Sequence, residues 1–124
     1  MCDILFKAKH IDSGEWMEGW LCQNVYDQIC IQPKDTPCMY VIDPETICRF
    51  TGCHDKHGNK IWENDIIYSG INMLVVWGKK YASWCVVITD KKCRYPFSKA
   101  YRQDSCEVAG NKFDNPGLCM KGWF

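Results

Sequence analysis

The chain has 124 residues, 47% apolar and 14% aromatic, with 15 basic side chains against 15 acidic ones. That length suits one domain with a single core, and that composition excludes a disordered chain. The balance of charge excludes a global field that would draw the protein onto nucleic acid or an anionic membrane, so only local patches such as Lys79-Lys80 and Lys91-Lys92 remain.

Taken in order, the chain opens on Met1-Cys2-Asp3-Ile4-Leu5-Phe6. It has no basic start and no long apolar stretch there, so no secretory signal is expected and the protein is expected to stay in the cytosol of the host cell. Phe6 to Ile11 alternates as a strand, Asp12-Ser13-Gly14 turns, and Glu15 to Trp20 returns. Val25–Ile31 and Cys38–Ile42 read as two more strands. Pro33 and Pro37 keep the connector between them out of any central strand. Asp43-Pro44-Glu45 begins the next unit.

Thr46 to Thr51 is extended, and Asp55-Lys56-His57-Gly58-Asn59 is a glycine-bearing turn. Ile61-Trp62 and Ile66-Ile67-Tyr68 are short strands. Ile71, Met73, Val75 and Trp77 share one face of a longer strand, Gly78-Lys79-Lys80 reverses it, and Trp84, Val86 and Ile88 share a face of the returning strand. After a turn at Asp90-Lys91-Lys92, Cys106 to Gly110 forms a last strand, which Asp114-Asn115-Pro116-Gly117 ends. No helical periodicity recurs, and no apolar run is long enough to span a bilayer. The fold class is therefore mostly β, and short, closely spaced strands predict a small antiparallel barrel.

The stretch from Thr51 to Ile67, TGCHDKHGNKIWENDII, resembles the signature of the YopX-like family of phage and prophage proteins. Asn64 stands where the family usually has glycine, and Ile67 where it usually has valine. Phe6-Lys7-Ala8-Lys9 with Gly14-Glu15-Trp16 resembles the family's opening. Val108-Ala109-Gly110-Asn111, followed by Asn115-Pro116-Gly117-Leu118, resembles its close. The resemblance implies one YopX-like domain over residues 1–124, with N-terminal strands over 1–45 and an SH3-like β-barrel with a C-terminal tail over 46–124. It carries no established chemistry, so no catalytic residue transfers.

Ten cysteines stand in the sequence, at positions 2, 22, 30, 38, 48, 53, 85, 93, 106 and 119. In a reducing cytosol they are expected to remain thiols and pack as small apolar residues. Cys48, Cys53, His54 and His57 have thiol and imidazole ligands at close spacing, but Cys53 and His54 alternate across a strand, so Cys48, Cys53 and His57 are the better zinc candidates. No Cys-x2-Cys knuckle, nucleophile elbow or phosphate-cradling glycine loop occurs. We expect no enzyme activity, and no cofactor unless zinc is held by those residues.

Binding is the remaining class. Trp62, Asp65 and Tyr68 lie at the signature, and Trp77, Lys79, Lys80, Tyr81 and Trp84 surround one turn. Aromatic faces beside lysines suit a protein hot spot or a stacked base. The expected partner is a host protein or a small nucleotide signal. A nucleic-acid module and a zinc-stabilised structural protein are the alternatives, and exposed aromatic strand faces would favour a homo-oligomer.

Overall fold

A computed structural model describes residues 5–80, 82–87, 94–96 (backbone only) and 106–118. Eleven strands form among them: β1 (Phe6–Lys9), β2 (Trp16–Gln23), β3 (Ile29–Gln32), β4 (Tyr40–Val41), β5 (Cys48–His54), β6 (Lys60–Trp62), β7 (Asp65–Tyr68), β8 (Asn72–Gly78), β9 (Ser83–Val87), β10 (Arg94–Pro96) and β11 (Glu107–Asn111). They pair in two sheets, ordered β4-β3-β2-β1-β5-β6 and β10-β9-β8-β7-β11. Short 3-10 turns at Pro44–Thr46 and Pro116–Leu118 are the only helical segments among the described residues. The mostly β expectation is met.

The closed barrel is not. Among the described residues β4 and β6 end one sheet, and β10 and β11 end the other. The end strands are poor closers: β4 spans two residues and β6 three, and β10 stops at Pro96, which has no N–H to donate. In β11 the pairing with β7 shifts between Val108 and Gly110, leaving Ala109 as the extra residue of a bulge.

The chain divides into two units, Met1–Phe50 and Thr51–Phe124.

In the first unit, Ala8, Ile31 and Ile42 are buried, with Phe6, Met17, Ile29, Tyr40 and Ile47 packed around them. Alternation puts them on one side: Ala8 faces Met17 across β1 and β2, and Ile31 faces Tyr40 across β3 and β4. Gly19 sits where β2 crowds Gln32. A Cβ there would run into the Gln32 carbonyl, so no larger residue fits. The turn after Ile42 is clamped to β1. Thr46 Oγ1 accepts from the Lys9 N–H at 2.9 Å and donates to the Asp43 carbonyl at 2.7 Å, while the Asp43 carboxylate caps Glu45 N–H at 3.1 Å.

In the second unit, Ile61, Ile67, Met73, Val75, Val86 and Cys106 form the core, with Cys53, Trp84 and Val108 against it. Ile66, Leu74 and Val87 form a second buried cluster from the alternate positions of the same strands. Adjacent apolar pairs such as Ile66-Ile67 and Leu74-Val75 are therefore buried on both faces, which an alternating reading of β8 did not anticipate. Ile71, expected on the β8 face with Met73 and Val75, precedes the strand and is exposed. Burying the six central residues contributes about 1.5–3 kcal/mol for each large side chain.

Candidate functional site

The turn between β5 and β6 is organised around one carboxylate. Asp55 is 1% exposed. Its Oδ1 accepts from the backbone N–H of His57 at 2.9 Å and of Asn59 at 2.8 Å. Its Oδ2 accepts from the Val108 N–H on β11 at 3.0 Å and from Asn59 Nδ2 at 3.3 Å. Burial alone would raise its pKa. The bonds from Val108, Asn59 and His57 outweigh that and hold the carboxyl below its ordinary value. Gly58, at φ +83°, supplies the left-handed residue that closes the turn.

Other parts of the signature are equally architectural. Thr51 Oγ1 donates to the Ile61 carbonyl at 2.7 Å, tying β5 to β6. Asp65 is buried and accepts from the Trp62 N–H at 2.8 Å. Between them Asn64 has φ +70°. Asparagine is among the few non-glycine residues that tolerate this region, which explains how it replaces glycine there. Near the C-terminus Asn111 Oδ1 accepts from Phe113 and Asp114 N–H groups at 3.0 and 2.9 Å, and Asn115 Oδ1 accepts from Asn111 N–H at 3.2 Å. Gly110 must be glycine because a Cβ would overlap the Asn115 side chain.

These facts place the expected binding residues. Trp62 and Asp65 are buried, and the Asp65 carboxylate accepts from the Trp62 N–H. Tyr68 is 44% exposed at the end of β7. Trp77 and Trp84 face each other across β8 and β9, edge to face at 5.2 Å and 79°, and both are half-buried. Lys79 and Lys80 are exposed in the connecting turn. Tyr81 lies outside the described residues.

The zinc candidates are not gathered: among the described residues, no three or more His, Cys, Asp or Glu side chains are placed to hold a metal ion. Cys48 is buried and its thiol donates to the Thr46 carbonyl at 3.3 Å. Cys53 packs on the Ile61, Ile67 and Met73 core of the second unit, where burial raises its pKa. The exposed His57 ring lies 3.4 Å from Glu107, which also meets Lys56 at 3.8 Å.

A different surface emerges in the first unit. Val25 is 90% exposed and Tyr26 80%. They are not strand residues, as the alternation suggested, but the tip of the β2–β3 hairpin. Asn24 builds that tip. Its Oδ1 accepts from Tyr26 and Gln28 N–H groups at 2.9 and 3.0 Å, its Nδ2 donates to Gln28 Oε1 at 2.8 Å, and its backbone N–H donates to the Gln28 carbonyl at 3.2 Å. Asp27 completes the reversal at φ +60°. The available signal was Asn24 and Asp27 bracketing Val25-Tyr26, a turn pattern that outweighs two β-formers.

The frame of buried carboxylates and asparagines coincides with the residues that carry the family resemblance, and the family model for "YopX protein" matches residues 6–120. The chain belongs to the YopX protein family. Its YopX signature thus maps to turns, strand ends and one bond between strands: Asp55, Gly58, Asn64, Asp65, Asn111 and Asn115, with Thr51 joining β5 to β6. No curated protein matches this YopX family member. Among the described residues no helix is long and apolar enough to cross a membrane.

Proposed function

We propose that this YopX family member is a non-catalytic phage or prophage accessory protein that binds a host protein in the cytoplasm, in host takeover or counter-defence. The observation that carries the reading is the hairpin tip. An aliphatic and an aromatic side chain stand in water on a loop already fixed by five hydrogen bonds, two donated and three accepted by Asn24. Such a loop surrenders little conformational freedom on docking, and tyrosine is a common hot-spot residue. We also read the segment expected to be SH3-like, residues 46–124, as SH3-like in its strand order. The meander β7-β8-β9-β10, with β11 returning to β7, supports that reading.

The test is affinity capture from host cells with the wild-type chain and the double variant Val25→Ser, Tyr26→Ser, with bound proteins and small molecules both identified. One host protein retained by the wild type and lost with the variant supports the proposal. Equal capture by both, or a nucleotide as the sole bound species, overturns it.

A nucleic-acid module is the second reading. It is favoured by Lys7 and Lys9, whose ammonium groups lie 4.5 and 5.3 Å from the centre of the Trp16 ring. Glu18 stands opposite Lys7 in the same pair of strands and reduces the local positive charge, so we rank this reading below the first.

A further inference from the structure

Two of the cysteines face each other. Cys22 on β2 and Cys30 on β3 are direct register partners, so their side chains leave the same face of the hairpin. Both are free thiols. Asn24 N–H donates to the Gln28 carbonyl, which makes residues 24 and 28 a hydrogen-bonded pair. Antiparallel pairs alternate, so residues 23 and 29 are a non-bonded pair and 22 and 30 a bonded one. Facing residues at a bonded position have Cα atoms about 5.5 Å apart, inside the range a disulfide spans. Facing Cβ atoms in antiparallel pairs lie about 4.5–5.5 Å apart, at the upper end of what a disulfide spans, so closure needs a small local adjustment of the two strands.

The thiols are currently turned to carbonyls. Cys22 donates to the Cys30 carbonyl at 3.7 Å and Cys30 to the Gln28 carbonyl at 3.5 Å. Closing the disulfide requires both thiols to turn away from these carbonyls and toward each other. Exposure differs between the two. Cys30 is buried at 1%, whereas Cys22 is half-buried at the surface.

We propose that Cys22 and Cys30 are a reversible oxidation site, a cross-strand dithiol that closes to a disulfide by exchange with a small-molecule disulfide such as oxidised glutathione. The more accessible Cys22 thiolate attacks the glutathione disulfide. One S–S bond breaks, a mixed disulfide forms, and one glutathione thiolate leaves. Cys30 thiolate then attacks the Cys22 sulfur across the strands and releases the second glutathione. Two protein thiols are oxidised, one glutathione disulfide is reduced to two thiols, and the thiol protons pass through solvent to the departing thiolates. Cys30 needs no solvent access for its step, because its target is the sulfur opposite. Burial, and then the neighbouring Cys30, raise the pKa of Cys22, so the first step is slow at neutral pH and accelerates as pH rises. The closed ring encloses residues 23–29 and staples the hairpin beneath its tip.

The sequence makes the test clean. Trypsin cuts after Lys9 and Lys34 and nowhere between, so peptide 10–34 contains Cys22, Cys30 and no other cysteine. Folded protein is equilibrated with glutathione buffers from reducing to oxidising, alkylated, digested and weighed. Circular dichroism confirms that the fold persists at each ratio. The expected result is a peptide lighter by two hydrogens that takes no alkyl group, formed before any other cysteine pair and reopened by reduced glutathione. The Cys22→Ser variant should leave Cys30 in that peptide fully alkylated. The proposal is overturned if peptide 10–34 takes two alkyl groups at every ratio that preserves the fold. It is equally overturned if Cys22 stops at the glutathione adduct, or if Cys30 links to a different cysteine in either protein.

Discussion

Asp55 shows how one side chain can hold a signature together. Three backbone N–H groups and an amide converge on a carboxylate with almost no access to water. Removing the carboxylate leaves those donors unsatisfied, at about 1–3 kcal/mol each for the buried ones. Asp55→Ala should therefore cost on the order of 3–5 kcal/mol, and Asp55→Asn, which keeps one acceptor, about 2 kcal/mol; denaturant titration reads both. The pH dependence has a definite sign. The folded carboxyl is held below its ordinary value, so the native state binds fewer protons than the unfolded chain and stability rises with pH. The contribution is complete above the ordinary carboxylate range and is lost as pH falls through the lowered value. Asp55→Asn should flatten that acid limb. At Asn64, φ +70° predicts a different pattern. Asn64→Gly should be nearly neutral, while Asn64→Val should cost about 1–3 kcal/mol, measured by thermal melting.

At the scale of elements, glycine and turn chemistry decide what alternation cannot. Gly19 lies in β2 where a Cβ would meet the Gln32 carbonyl, a backbone atom that cannot swing aside. Gly19→Ala should cost about 1–3 kcal/mol by forcing β2 and β3 apart, visible as a lower denaturation midpoint. The sequence made most strands legible because Phe6 to Lys9 and Trp16 to Trp20 alternate between a core and an outer face, while β8 and β9 are continuous apolar runs on either side of a glycine-lysine turn. It also located the turns at Gly14 and Gly58, both with positive φ. It misplaced β3, because Val25 and Tyr26 favour strands intrinsically and the Asn24 hydrogen bonds that override them depend on its contacts with Gln28. The short β10 was not anticipated, since Arg94-Tyr95-Pro96 carries no alternation to detect. Trp62 and Tyr68 are aromatic neighbours in the same stretch, yet one is buried and the other exposed. Residue type alone does not separate core from contact surface.

For the whole molecule, charge balance discriminates between classes of partner. Fifteen basic side chains offset fifteen acidic ones, and the exposed Val25 and Tyr26 side chains are uncharged, with Asp27 beside them the one charged residue of the tip. A complex formed through that tip rests on apolar burial, which moderate salt hardly weakens. A nucleic-acid complex behaves otherwise, because each neutralised phosphate releases a counterion; a protein making 6–10 such contacts loses roughly 10³–10⁵ in affinity between about 50 and 200 mM salt. For the host protein captured through the tip, dissociation constants over that range should change by less than about threefold, while Val25→Ser with Tyr26→Ser weakens binding by more than about tenfold at every salt concentration. Calorimetry on purified components measures both. A steep salt slope that the tip variant leaves intact would move the contact to Lys7, Lys9 and Trp16. Because Val25 and Tyr26 are almost wholly exposed, the tip variant should keep wild-type stability within about 0.5 kcal/mol, so lost binding reports the surface and not unfolding.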